Sequence, residues 1–246
     1  MILHYDIQDI VPYINWLYFY HAWSMNGKSE MAKLQLRKDA EEMLHTWEGC
    51  YHTHAVFGLF DANSDGDDLI LGDKRLPMLR QQKPKKPGYP NLCLADFVRP
   101  VGKGKDKVGV FATSVDAELQ KAYLHDDYQR MLSQVLADRL AEGTAEKMHE
   151  EVRRNYWGYA PNERLTMEQT HNEQYQGIRP AVGYPSLPDT SINFILNELI
   201  DMKGIGIRLT ESGMMTPHAS VSGLMLAHPG SCYFELGRIG ADQIND

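Results

Sequence analysis

Tyr128-Gln-Arg-Met-Leu-Ser-Gln-Val-Leu-Ala-Asp-Arg-Leu140 is the stretch from which the fold of this 246-residue chain is read. Tyr128, Met131, Leu132, Val135, Leu136 and Leu140 recur at three-and-four spacing, so they line one face of a helix. The helical signal runs from Asp116 to about Tyr156, with Gly143 as a candidate kink. Lys107 to Thr113 before it reads as a strand, and Gly206 to Thr210, Ala219 to Ala227 and Cys232 to Arg238 after it alternate like strands. No internal repeat or low-complexity linker divides the chain. These elements predict an α+β fold, one domain over residues 1–246 built on a mainly antiparallel sheet.

Further out, Asp9 precedes a first-turn Pro12 and a dense aromatic run to Tyr20, which predicts a short, mostly buried helix. From Ser29 to Trp47, the positions Met31, Leu34, Ala40, Met43, Leu44 and Trp47 form an imperfect helical stripe. His54 to Phe60 and Asp68 to Leu71 read as the arms of a hairpin, joined by a turn over Asp61 to Asp67. Gly158 to Pro188 reads as a connector and Ser191 to Met202 as a helix.

Hydrophobic residues make up 43% and charged residues 24%, the balance of a water-soluble globular protein, which excludes disordered, collagen-like and disulfide-scaffold classes. A formal charge of −8 argues against a phosphate-backbone binder, so no nucleic-acid partner is expected. Cys50, Cys93 and Cys232 are an odd number at wide spacing, and no basic-then-apolar leader precedes the first charges. A cytoplasmic protein with reduced thiols is expected. Apolar runs such as Ile192 to Ile200 fall short of the ~20 residues that cross a bilayer, so no membrane segment is expected. Residues 73–107 stand apart, with ten Lys or Arg against three Asp or Glu and five prolines, and read as a basic surface loop.

Most local motifs have plain explanations. Asp61-x-Asn63-x-Asp65-Gly66 opens like a calcium loop, but its twelfth position is Gly72 where a bidentate Glu is needed, so a turn is expected. His52 and His54 share a strand face without a third metal ligand nearby in sequence. The glycines at 102–104 and 204–206 lack the spacing of phosphate or dinucleotide loops and read as turns, and Ser220 and Ser222 as strand serines. Neither a catalytic residue nor a metal site is expected. The exception is Tyr175-Gln-Gly-Ile-Arg-Pro-Ala-Val-Gly-Tyr-Pro-Ser-Leu-Pro-Asp189. Arg179 before Pro180, flanked by Tyr175 and Tyr184, is a stiff loop carrying a planar fork of donors suited to a small carboxylate; a structural Arg tied to a carbonyl or an Asp is the competing reading.

Several longer segments occur in one order: Val56-Phe-Gly-Leu-Phe60, Asn91-Leu-Cys-Leu-Ala-Asp-Phe97, His125-Asp-Asp-Tyr128, Ala137-Asp-Arg-Leu-Ala-Glu142, Asn155-Tyr-Trp-Gly-Tyr-Ala-Pro-Asn-Glu163, Arg179-Pro-Ala-Val-Gly-Tyr-Pro185, Leu209-Thr-Glu-Ser212, Ala219-Ser-Val-Ser-Gly223 and His228-Pro229. Together they closely resemble the C-terminal activation domain of cobalamin-dependent methionine synthase over nearly the whole chain. The resemblance implies a C-shaped domain, its twisted sheet flanked by helices, that binds S-adenosylmethionine in a shallow groove and presents the methyl group to cob(II)alamin. A flavodoxin-type donor would supply the electron for this reductive methylation. By motif position, Arg179 would grip the ligand carboxylate, the Ala181 backbone would contact the ligand, Tyr184 and Tyr233 would line the groove near the sulfonium, and Glu142 and Glu173 would supply polar contacts. One departure stands out. The family's Ile-Asp-Trp is here Ile14-Asn15-Trp16, and a neutral Asn15 facing the ligand ammonium implies binding weaker by about fivefold to tenfold.

The chain lacks the Asp-x-His-x-x-Gly signature of a cobalamin module, so cobalamin is expected only through a partner module, and the chain alone would not make methionine. Its ends are compatible with a fragment of the synthase or a separate subunit. Two other functions stay open: an independent methyltransferase with the same donor, against which the missing glycine-rich loop and catalytic base count, and an interaction subunit with a decayed ligand site, for which Asn15 speaks. Lys83, Lys85, Lys86, Lys103, Lys105 and Lys107 read either as solvated surface or as a docking face for the acidic electron donor.

Overall fold

The computed structural model of the chain describes residues 1–83, 86 and 88–240. Strand β1 (Ile2–Asp6) leads into a single turn α1 (Ile7–Ile10), a 3-10 turn over Val11–Tyr13 that contains Pro12, and helix α2 (Trp16–Ala22). The cap of α2 is Asn15, not Asp9: its Oδ1 accepts the Leu17 N–H at 3.1 Å. The expected single buried helix is therefore three short pieces. Ile7, Ile10, Ile14 and Phe19 are buried, whereas Leu17 and Tyr18 are exposed. Helix α3 (Glu30–Trp47) begins at its Ser29 cap as expected, but Met31 and Leu34 face solvent and Leu36 joins Ala40, Met43, Leu44 and Trp47 inside.

Strands β2 (His52–Asp65) and β3 (Asp68–Leu71) form the expected hairpin with a much shorter turn. Asp65 pairs with Asp68 around Gly66, which takes the left-handed φ of 63°. Asp61 to Asp65, expected in the turn, instead lengthen β2. There Asn63 Nδ2 donates to the carbonyls of Arg99 at 2.9 Å and Gly104 at 2.7 Å, tying down the neighbouring loop. Strand β4 (Lys74–Pro77) pairs with β3, and β5 (Asp106–Val115) runs along the other side of β2, with Phe57 opposite Phe111.

Helix α4 (Asp127–Glu151) starts well after Asp116. Asp116 is occupied elsewhere, accepting the His52 N–H at 2.8 Å where β2 begins, and Asp126 caps the helix through the Gln129 N–H. Gly143 marks a close approach: a Cβ there would lie 2.9 Å from Ile10 Cγ2. After a π-turn over Val152–Tyr156 come α5 (Met167–His171), α6 (Ile192–Leu199), the two-stranded ribbon β6 (Arg208–Leu209) and β7 (Met215–Thr216), and finally β8 (Ser220–Met225).

The main sheet runs β4-β3-β2-β5-β8, with β1 added to β2, and every pairing is antiparallel. The period-two alternation of β5 divides two cores. Phe111 and Val115 face α1, α3 and α4, while Val108, Val110 and Ala112 face α6 and the 93–98 segment. This is the α+β class expected. The outer edge of β8 is covered by the backbone of residues 178–182: Ile178 and Leu226 exchange two hydrogen bonds of 2.9 Å, Leu224 N–H donates to Pro180 O at 3.0 Å, and Val182 N–H to Ser222 O at 2.9 Å. Gly223 permits this approach, since a Cβ would stand 2.2 Å from Pro180 O.

Cys232 to Arg238 is not a strand. Phe234 and Leu236 are buried in alternation, but the backbone there bonds to other partners: Phe234 O accepts from Ser186 Oγ at 2.6 Å, Phe234 N–H donates to Ser186 Oγ at 3.0 Å, and Glu235 O accepts from Gln81 Nε2 at 3.0 Å. Alternation without a ladder partner misleads a sequence reading.

Candidate functional site

The loop laid along β8 aims Arg179 at helix α4. Pro180 holds the residue before it extended, and Gly177, at φ 88°, lets the chain pass where a Cβ would stand 2.4 Å from Leu226 O. The Arg179 guanidinium is 9% exposed and pairs with Glu146 of α4, and its backbone N–H donates to the Tyr233 hydroxyl at 2.9 Å. Burial works against its charge, but Glu146 together with Tyr175, Tyr233 and Glu142 more than offsets it and holds the guanidinium firmly protonated. The structural-Arg alternative is thus half realised, with a Glu as partner. Among the described residues, neither the buried Nε of Arg179 nor that of Arg139 has a hydrogen-bond partner.

These groups open onto a cavity of about 1150 Å³. All seven residues expected at the ligand site line it: Asn15, Glu142, Glu173, Arg179, Ala181, Tyr184 and Tyr233. They arrive from the cap of α2, from α4, from the end of α5, from the β8 loop and from the C-terminal segment. Tyr184, half-exposed at the rim, donates its hydroxyl to Glu142, and burial together with that carboxylate pushes its phenol up. Glu173 sits in the left-handed region at φ 55°, and its carboxyl is pushed above the usual range by partial burial and by Glu146, with Arg179 opposing. Ala181 bridges to Gly223, fixing its backbone at the cavity wall.

The residues expected at the ligand site did not include Arg139 and Glu146, which also line the cavity, and Tyr175, which lines it too, was read only as a flank of the Arg179 loop. The helical spacing held the signal. Arg139, Glu142, Gly143 and Glu146 lie at three-and-four intervals on α4, so a face that presents Glu142 presents the others too.

Outside this cavity, His52 and His54 share a face as expected, and their neighbours are carboxylates and His4. His54 Nε2 lies 2.8 Å from Asp116, His52 Nε2 3.2 Å from Asp6, and the Nδ1 atoms of His4 and His54 2.7 Å apart. Among the described residues no group of three or more His, Cys, Asp or Glu is arranged to hold a metal ion. The basic segment is partly neutralised by the β2–β3 hairpin and by its own Asp96: Arg75 pairs with Asp65 and Asp68, Arg80 with Asp67 and Asp96, and Lys105 and Lys107 with Asp61. Lys83 lines the cavity, Lys86 and Lys103 are exposed, and Lys85 lies outside the described residues. Among the described residues no helix is long and apolar enough to cross a membrane.

The chain matches the family described as vitamin B12 dependent methionine synthase, activation domain, over residues 6–246. A crystal structure of the MetH reactivation domain bound to AdoHcy is 39% identical and superposes with a TM-score of 0.93, the match covering 100% of this chain and 83% of that one. With its antiparallel sheet, its Arg179 loop and a match of this extent, the chain belongs to the activation-domain family of vitamin B12-dependent methionine synthase.

Proposed function

We propose that the chain binds S-adenosylmethionine in the Arg179 cavity and presents its methyl group for reductive reactivation of cob(II)alamin held by a separate module. The observation that carries this reading is the convergence of all seven expected residues on one cavity, in a chain 39% identical to a domain that binds AdoHcy. Arg179, backed by Glu146, offers its remaining N–H donors to the ligand carboxylate, a charge-assisted pairing in a largely desolvated place. The Ala181 backbone supplies a contact beside it. Asn15 faces the ammonium with an oxygen that already accepts the Leu17 N–H. Glu142 and Glu173 and the faces of Tyr184 and Tyr233 suit a sulfonium cation. Because Tyr184 is half-exposed, the methyl side of the cavity stays open to a second, large body. Cobalamin, carried by that module, supplies the methyl acceptor, and a flavodoxin-type donor the electron; this chain's residues orient the ligand and contribute no proton transfer. A cytoplasmic location fits the three unpaired cysteines.

Calorimetric titration with S-adenosylmethionine tests the reading, with saturable one-site binding expected. Methyl transfer should appear only when a cobalamin-bearing module and a one-electron reductant are added, since the reaction geometry comes from bringing two cofactors together. Absence of binding, or turnover without cobalamin, overturns the proposal.

A further inference from the structure

The segment Asn155 to Glu163 carries part of the family likeness, yet none of its residues lines the cavity. Its last residue, Glu163, instead closes a buried ion pair with Arg153 next to the cavity wall. The π-turn that ends α4 bends the chain so that Glu163 returns to Arg153, and such turns recur at functional sites. The two side chains are 0% and 8% exposed. Arg153 Nε donates to both carboxylate oxygens at 3.0 Å and Nη2 to Oε1 at 2.6 Å. Its third nitrogen, Nη1, reaches His149 Nδ1 at 2.9 Å. A guanidinium can only donate, so His149 Nδ1 accepts and the ring proton is on Nε2, which faces the Tyr159 hydroxyl at 3.4 Å. Burial, with Arg153 and Arg179 nearby, keeps this imidazole neutral.

What the ion pair and the histidine hold between them is Tyr175. The Arg153 guanidinium carbon lies 4.1 Å over the Tyr175 ring, and the His149 ring meets it edge-on at 5.1 Å and 88°. Tyr175 lines the cavity together with Tyr233, whose hydroxyl receives the Arg179 N–H. We infer that Glu163 and Arg153 are positioning residues for the ligand cavity: they clamp the Tyr175 ring in the cavity wall while touching no ligand. The inference rests on the ligand reading above. A merely structural ion pair, by contrast, supports the fold and leaves affinity alone.

The test is a double-mutant cycle on the full chain, with S-adenosylmethionine affinity read by calorimetry and thermal unfolding read without ligand. Glu163→Gln keeps the shape and removes the charge that fixes Arg153; Tyr175→Leu removes the flat ring that Arg153 and His149 hold. The clamp predicts that Glu163→Gln weakens binding by about fivefold or more at temperatures where the variant is fully folded, and that most of this loss disappears when Tyr175→Leu is already present. Unchanged affinity with a lowered Tm, or a loss that persists undiminished beside Tyr175→Leu, overturns it. Should Glu163→Gln fail to fold, Arg153→Lys decides the matter: it keeps the charge opposite Glu163 but not the flat face over Tyr175, so a similar loss supports the clamp and unchanged affinity refutes it. A wild type that does not bind overturns the ligand reading and this inference with it, whereas a wild type that binds beside unaffected variants overturns this inference alone.

Discussion

Arg179 faces Glu146 already, and under the proposed function meets a second carboxylate when ligand arrives. Replacing it with Ala should weaken S-adenosylmethionine binding by roughly 2–5 kcal/mol, through loss of a desolvated charge pair. The same change strands Glu146, whose side chain is 12% exposed, so the fold should also lose stability, by about 3–5 kcal/mol as for a broken buried pair. Calorimetry well below the variant's unfolding temperature separates the two effects, and unchanged affinity would remove Arg179 from the ligand. Lys should recover only part of the loss, being a point charge without the fork. Asn15→Asp makes a complementary expectation. An Asp caps α2 as well as Asn does and offers its second oxygen to the ligand ammonium, so binding should tighten by about 1 kcal/mol with Tm little changed. Weaker or unaltered binding would mean that the ammonium lies elsewhere. At this scale the site was legible wherever a local pattern confined a side chain, as Pro180 confines Arg179. What such a pattern did not carry was the pairing: Glu146 shares a helix face with Glu142, but only the fold brings that face to Arg179.

Among the elements, α4 carries the most constraint because the face that lines the cavity also packs on Ile10. Gly143 stands at that contact. Gly→Ala inside a helix usually gains up to about 1 kcal/mol from backbone entropy, but here a Cβ 2.9 Å from the Cγ2 of a fully buried Ile10 forces repacking that costs about 1–3 kcal/mol. Gly143→Ala should therefore lower Tm, and a raised Tm would show that α1 yields without strain. The long helix, β5 and the β2–β3 hairpin were readable because periodicity and turn chemistry agree there. The start of α4 was not, because Asp116 serves the end of a strand, and Cys232 to Arg238 alternates only because a cavity wall, like a sheet, has an inside and an outside. Strand β1 went unread for a related reason: its residues are mostly exposed, and only their register against β2 makes them a strand.

For the molecule as a whole, the concentration of charge in residues 73–107 is less one-sided in three dimensions than in sequence, since acids of β2 and its turn answer Arg75, Arg80, Lys105 and Lys107. If the electron donor docks by charge, the exposed Lys86 and Lys103 are the better probes. Lys86→Glu with Lys103→Glu should slow reduction of the assembled system at low ionic strength, with the difference closing as salt shortens the Debye length to about 8 Å near physiological strength. Equal rates across the salt range would leave these lysines as solvated surface. The lining of the loop along β8 bears on the molecule in another way. A sheet's last strand exposes a row of donors and acceptors onto which a strand of a second copy can add. Here that row is already taken up by Ile178, Pro180 and Val182, the neighbours of Arg179 and Ala181. The residues proposed to select the ligand are thus threaded through the backbone that stops the sheet from growing, so this loop answers to self-association as well as to binding, and a change tolerated by one can be forbidden by the other.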